Sequence, residues 1–362
     1  MDSFSLPTEG SRQYCRRTKM GIKRLLYAPN VHQGGGKTLL ISLIKALKDD
    51  DVSLVLDERL DLPTGLLKRE VFWVKPTLAS RLGFELRLNR LITEDTVVLC
   101  MGNLPPLFIK RGIQKVFVQN RYLVEEISLT SFPVKTRIRI MIERWWLRFR
   151  VTGIDSFIVQ TPTMQRLIKQ AFGVEAKAFP FLSIEMRSDL PIDRKINEKI
   201  YDFVYIASGE PHKNHKTLIY AWVALAKEGI FPSLCLTLDN KKFPLLCDWI
   251  ISKAENNDLK VFLIGEYSHN DINKIYQQSE TLIYPSLFES FGLPLIEAAL
   301  LGLPVLASNK SYVSDVIVPS GVFDPHSFQD IANAVQKFKA EPALLAIELS
   351  EAEDFLEDAF KE

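Results

Sequence analysis

The chain is 362 residues long, a length that suits about two domains, with 47% hydrophobic and 25% charged residues. That balance belongs to an ordinary globular protein and excludes a disordered, collagen-like or coiled-coil chain. Its 45 basic and 44 acidic residues leave a net charge of +1, but residues 1–190 hold 30 basic and 19 acidic residues (net +11) and residues 191–362 hold 15 and 25 (net −10), so the two halves point to different partners.

The first residues, MDSFSLPTEGSRQYCRRTKM, contain no apolar h-region and do not read as a signal peptide. Residues 1–19 read as a polar extension, with a fresh start at Met20. From there, short apolar runs alternate with amphipathic stretches. Strands are expected at 24–28, 52–56, 71–74, 96–100, 115–118 and 156–159, and helices at 38–48, 135–150 and 162–170. In the second half, strands are expected at 203–206, 234–238, 260–264, 281–284 and 304–307. Helices are expected at 216–228, 245–253, 271–278, 294–301 and 328–338. Such alternation predicts parallel sheets with helices on both faces, and two series predict two doubly wound α/β domains. The boundary falls in residues 179–199, which hold Pro180, Pro191 and the mixed-charge run DRKINEK. The division is 1–19 as extension, 20–185 and 186–340 as the two domains, and 341–362 as a closing helix, its apolar spacing running over 343–361.

No run reaches the roughly 18 apolar residues of a membrane span. Cys15, Cys100, Cys235 and Cys247 form no C-x-x-C pair, which fits reduced thiols in the cytoplasm or at the inner face of its membrane. His212 and His215 are three apart, but no Cys or carboxylate cluster joins them into a metal site. Asp49-Asp50-Asp51, although Asp49 and Asp51 have D-x-D spacing, reads as a solvated turn between a helix and a strand and not as a site for a divalent ion.

Gly34-Gly35-Gly36 follows the first strand. Glycines let the backbone approach a ligand, and the helix N-terminus behind them favours anions, which makes Gly35 and Gly36 candidates for a phosphate-bearing ligand. The P-loop spacing fails, because Val31 stands where its first glycine is required, and G-x-G-x-x-G fails at Leu39. A turn without a ligand is the plain alternative.

The segment 284–308, YPSLFESFGLPLIEAALLGLPVLAS, carries the most chemistry. A strand ends at Tyr284-Pro285, Glu289 follows in a loop, Gly292 permits a tight turn, and Pro294 opens a helix where its missing N–H costs nothing. The amides of Phe291, Gly292 and Leu293 are donors at a positive helix end, and Glu297 lies one turn inside. Amides for phosphate with a carboxylate on either side are what a nucleotide-sugar needs. Ligands of doubly wound sheets bind at the carboxyl ends of strands, where this loop falls.

Glu289, seven residues and Glu297, within ESFGLPLIEA, resemble the E-x7-E signature of glycosyltransferase family 4. Residues 155–161, DSFIVQT, and 321–325, GVFDP, are similar to further family segments, and the resemblance covers most of residues 20–340. It implies a GT-B fold, two Rossmann-like domains facing across a cleft, and retaining transfer of a hexose from a nucleotide-diphosphate sugar. By the resemblance Glu297 binds ribose hydroxyls, Glu289 holds and orients the transferred sugar, and the amides of Phe291, Gly292 and Leu293 face sugar and phosphates. Lys213, in the loop Ser208-Gly209-Glu210-Pro211-His212-Lys213, resembles the family's lysine that neutralises the leaving diphosphate, and Ser208 and Gly209 of the same loop are further donor-binding candidates. Many members carry an arginine five residues earlier, where this chain has Ser208.

Glycosyl transfer builds negative charge on the diphosphate, which a cation and a helix end stabilise, so no metal or other cofactor is expected. In the first half, Asn103, Asn120 and Arg121 lie in strand-end loops and are acceptor-side candidates, with turn formation as the alternative. No His stands at 118–121, and a front-face retaining mechanism can use the departing phosphate as base. The segment from Lys135 to Arg150 holds six basic residues and one acid on an amphipathic pattern. It fits contact with an anionic membrane or packing by its Ile and Trp residues, and no recognition module points to nucleic acid. The resemblance implies a glycan or lipid-linked glycan acceptor in surface polysaccharide synthesis, and the loop Lys213-Asn214-His215-Lys216 favours mannose. A non-catalytic nucleotide-sugar-binding subunit is the rival reading. An oxidoreductase lacks its glycine fingerprint.

Overall fold

The computed structural model describes residues 22–48, 51–62, 70–130, 132–182, 199–265, 269–338 and 340–361. The expected extension 1–19, Cys15, Asp49, Asp50 and the middle of the expected boundary, 183–198, lie outside the described residues.

The first sheet is built from β1 (Ile22–Ala28), β2 (Val52–Asp57), β3 (Val71–Val74), β4 (Ile92–Cys100), β5 (Ile113–Phe117), β6 (Ser156–Val159) and β7 (Ala176–Ala178). All its pairings are parallel, in the order β3-β2-β1-β4-β5-β6-β7. Both faces are covered, so the strands read as apolar runs rather than alternations. Along β1 the side chains split by parity. Leu26 and Ala28 pack with Leu40 and Leu43 of the helix Gly34–Ala46 on one face, and Leu25 and Tyr27 pack with Ile140 and Leu147 of the helix Val134–Arg150 on the other.

After β8 (Phe181–Leu182), the second sheet takes β9 (Tyr201–Tyr205), β10 (Leu234–Leu236), β11 (Val261–Leu263), β12 (Ser279–Tyr284) and β13 (Val305–Ser308). Beyond β14 (Ile317–Val318), β15 (Gly321–Phe323) closes it in the order β11-β10-β9-β12-β13-β15, again all parallel. Both sheets therefore reverse their strand order beside the first strand, which opens a crevice at the carboxyl ends.

Two expectations change. The helix expected from residue 38 begins at Gly34, so the three glycines form its first turn. The helix expected over 343–361 is shorter. Residues 343–349 alternate buried and exposed with period two. There β16 (Leu344–Leu345) pairs with β14, and β17 (Ser350–Glu351) pairs with β8. Only Ala352–Ala359 is helical, started by a capping box between Glu351 and Asp354. This helix returns to the first domain. The Phe355 ring lies 5.4 Å from Phe117 and 4.2 Å from Phe181.

The helix Leu78–Leu88 was not expected. It buries only Glu85 and Leu88, which leaves little apolar periodicity to read. Glu85 accepts hydrogen bonds from the Tyr27 hydroxyl (2.8 Å) and from the amides of Leu107 (2.7 Å) and Phe108 (3.1 Å). Among the described residues, no helix is long and apolar enough to cross a membrane.

Candidate functional site

The site begins where β9 and β12, neighbours in the second sheet, release their chains. After β9 the chain makes one 3-10 turn, Pro211–Lys213, and Asn214 adopts a left-handed conformation (φ 61°) before the helix His215–Lys227. Asn214 is buried, and its amide nitrogen donates to the carbonyls of Pro285 (3.1 Å) and Pro325 (2.7 Å). The Leu287 amide donates to the His212 carbonyl at 2.8 Å. The Tyr205 hydroxyl donates to the Lys213 carbonyl at 2.8 Å. These bonds zip the two loops together and fix the groups they carry.

The result is a buried ion pair. Lys213 Nζ lies 2.6 Å from Glu289 Oε1, with the two side chains only 15% and 12% exposed. The same oxygen accepts from Ser286 Oγ (2.7 Å) and the Tyr284 hydroxyl (3.1 Å). Oε2 accepts no hydrogen bond among the described residues, which leaves it for a ligand. Burial alone would raise the Glu289 carboxyl. The nearby Lys213 and His212 charges, with hydrogen bonds from Lys213 and Ser286, outweigh it and hold the carboxyl below its usual value.

Gly292 has φ 74° and caps the helix Leu293–Leu300, a conformation that strains any side-chain-bearing residue. Phe291 is buried in the core of the second domain. One turn into the helix, Glu297 accepts from the buried Tyr276 hydroxyl at 2.8 Å. Tyr276 thus orients the carboxylate that the sequence pattern singled out.

From the first domain, Asn103 adopts φ 67°, and its Oδ1 accepts from the amides of Gln119 (2.6 Å) and Asn120 (2.8 Å). Asn120 in turn caps the short turn Arg121–Leu123. Both side chains therefore do the turn-forming work weighed against function. Arg121 does more. It pairs with Glu125, donates to the Glu289 carbonyl across the domains (3.2 Å), and sets its guanidinium 4.5 Å from the Phe288 ring centroid. Thr161 Oγ1 donates to the Ser290 carbonyl (3.2 Å) and the Thr163 amide to Asp315 (2.9 Å). A Cβ added to Gly35 would sit 3.2 Å from Leu293, and one on Gly36 would sit 3.3 Å from Gln119, so the glycine turn packs tightly beside the crevice.

Between the domains lies a cavity of about 320 Å³. Gly36, Asn103, Asn120 and Arg121 line it from one side and Glu289 from the other, joined by Asn30, Gln119, Tyr122, His212 and Phe288. Lys213 does not line it and reaches it only through its ion pair with Glu289. The remaining candidates, Gly35, Ser208, Gly209, Phe291, Gly292, Leu293 and Glu297, do not line it. Ser208 is exposed and bonds the Glu210 carboxylate of its own loop. Gly209 meets Phe243, where a Cβ would fall 2.4 Å from the ring. Gly209→Ala should therefore push this loop off its seat and cost about 1–3 kcal/mol, which urea unfolding beside wild type checks.

His212 carries no sequence signal of its own beyond its three-residue spacing from His215. The two rings separate. His212 edges Tyr122 and Phe288 in the cavity wall (ring centroids 5.8 and 6.3 Å). Burial, then the Lys213 charge, lowers its pKa, so it is neutral at pH 7. His215 is buried beside Tyr205 in the core. Among the described residues, no group of three His, Cys, Asp or Glu side chains gathers to hold a metal.

Residues 187–355 match the family described as glycosyl transferases group 1. The O-antigen chain mannosyltransferase B of Escherichia coli is 27% identical over 140 residues, 36% of this chain and 34% of that protein. The serotype-specific mannosyltransferase WbdA of Escherichia coli is 32% identical over 136 residues, 36% of this chain and 17% of that protein. The matched stretch thus spans 34% and 17% of these relatives. Among solved structures, HepE of Anabaena in complex with UDP and glucose superposes with a TM-score of 0.65 at 16% identity, over 87% of this chain and 89% of that one. An α,α-trehalose-phosphate synthase of Burkholderia vietnamiensis gives 0.62 at 11% identity, over 87% and 91%. Residues 187–355 are therefore similar to the glycosyl transferases of group 1, and the chain as a whole shares the two-domain GT-B fold of these solved structures.

Proposed function

We propose that the chain is a retaining glycosyltransferase that moves a hexose from a nucleotide-diphosphate sugar to a glycan acceptor. The observation that carries this reading is the Lys213–Glu289 pair at the carboxyl ends of two neighbouring strands, whose carboxylate lines a cavity walled by both domains. Lys213 has three N–H donors and shares them between Glu289 and the leaving diphosphate. Glu289 Oε2 takes a hydroxyl of the transferred sugar. Glu297, oriented by Tyr276, takes the ribose hydroxyls, and the amides at the start of the helix Leu293–Leu300 add positive potential. The polar wall of Asn120, Arg121 and neutral His212 faces the acceptor. Positive charge aimed at the diphosphate stabilises the transition state, so the proposal calls for no divalent ion. Likeness to O-antigen mannosyltransferases supports mannose as the sugar and a surface polysaccharide, built on a lipid-linked acceptor, as the product.

A thermal-shift panel of GDP-, UDP- and ADP-sugars tests the donor site, because a ligand that binds only the folded state raises its melting temperature. One base should give a clear rise. Glu297→Ala should weaken that donor by about tenfold or more, the worth of a charge-assisted hydrogen bond. No rise with any donor at saturation, in folded protein, would sink the reading.

A further inference from the structure

The helix Val134–Arg150 presents an apolar face outward. Val134, Ile138, Met141, Ile142, Trp145 and Phe149 are each 52–63% exposed, although six large apolar side chains on one helix normally face a core. At 3.6 residues per turn they fall within an arc of about 100°. The opposite face is the one that packs inward. Ile140 and Leu147 are buried, and Arg150 donates to the carbonyls of Pro106 (3.1 Å) and Ile109 (2.8 Å). The helix is therefore firmly docked with its other apolar stripe left uncovered. Trp145 and Phe149 stack at 5.3 Å with an interplanar angle of 11°, so the two rings form one flat apolar surface within the stripe.

Charge tells what covers it. Lys135 and Arg139 border one edge of the arc, and Arg137 and Arg148 border the other. Arg139 and Arg148 reach Glu143 (3.8 Å) and Glu126 (3.2 Å), but the arginines are 66% and 55% exposed, and exposed pairs of this kind hold weakly. An apolar stripe between two basic borders complements one chemistry, acyl chains beneath anionic headgroups. A second copy would bring basic borders against basic borders. We propose that this face seats on an anionic lipid bilayer, with Trp145 and Phe149 at the headgroup–acyl boundary. The inference goes beyond the transfer reading and does not rest on it. Arg144, on the same helix, donates to the Tyr122 carbonyl at 2.7 Å, so the seated helix is one side chain from the cavity wall.

Co-sedimentation of the full chain with vesicles tests it. The protein should bind equimolar phosphatidylcholine and phosphatidylglycerol, leave phosphatidylcholine alone in solution, and dissociate as salt rises. Trp145→Ser with Phe149→Ser, and separately Lys135→Glu with Arg139→Glu, should each lower partitioning about tenfold or more, with an unchanged melting temperature because all four side chains are exposed. Either variant suffices if the other fails to fold. Binding that ignores lipid charge, variants that partition like wild type, or no vesicle binding at all would overturn the proposal. So would a dimer in sedimentation velocity that the Trp145→Ser, Phe149→Ser variant abolishes.

Discussion

Lys213→Ala should lower sugar transfer by about 10²–10³-fold, the effect of removing one preorganised group aimed at developing charge. It should also destabilise the fold, because Glu289 then keeps a buried carboxylate with no cation. Breaking such a pair on one side costs about 3–5 kcal/mol. The two effects separate in a double-mutant cycle. Glu289→Gln preserves shape and can still accept from Ser286 and Tyr284. Added to Lys213→Ala, it removes the unpaired charge and should recover most of the lost stability in urea unfolding. It should recover none of the transfer rate, since the groups proposed to meet the diphosphate and the sugar are then both absent. A double variant that regained both would make the pair a structural clasp and remove it from the chemistry. Glu289→Gln alone should leave Lys213 without its carboxylate partner yet still able to meet a diphosphate, so nucleotide-dependent melting shifts should survive while transfer falls.

The repeated strand–helix alternation carried the fold because a parallel sheet covered on both faces must read as short apolar runs, and β1, β2 and β4 do. Glu289, Gly292 and Glu297 were legible because a strand end, a left-handed turn and a helix start compress into one continuous segment. What stayed hidden depends on contacts between distant residues. Tyr276 reaches Glu297 from 21 positions away, and Arg121 reaches the Glu289 carbonyl from 168 positions away. No local pattern announces either. His212 was not legible because two histidines three apart, with no Cys or carboxylate beside them, announce nothing local. The left-handed Asn214 between them turns one ring into the cavity wall and the other into the core. The last helix was overdrawn because residues 343–349 hold apolar residues dense enough to satisfy both periods, and only pairing with β14 and β8 decides for strands.

Acid should unfold the chain from the mildly acidic side, and His215 should lead. Burial, then the charges of Lys213 and His212, pushes its pKa from 6.5 to about 3. Neither ring nitrogen has a hydrogen-bond partner among the described residues, so nothing offsets protonation inside the core. The folded pKa lies below the unfolded one. Stability is therefore complete above pH 6.5 and falls as pH drops, because the unfolded chain takes up a proton that the folded chain refuses. The loss approaches about 1.4 kcal/mol per pH unit and totals about 4 kcal/mol by pH 3. His212, also lowered, adds to the same limb. Glu289, held below its usual value by its partners, contributes only when pH falls below the ordinary carboxylate range. Urea midpoints from pH 7 to pH 4 for wild type and His215→Leu check this. At pH 7 the two should agree within about 1 kcal/mol, because the ring loses no hydrogen bond. Toward pH 4 the wild type should weaken by about 3 kcal/mol more than the variant. Parallel curves would mean that His215 reaches water in solution, and that the Tyr205 ring beside it does not seal that part of the core.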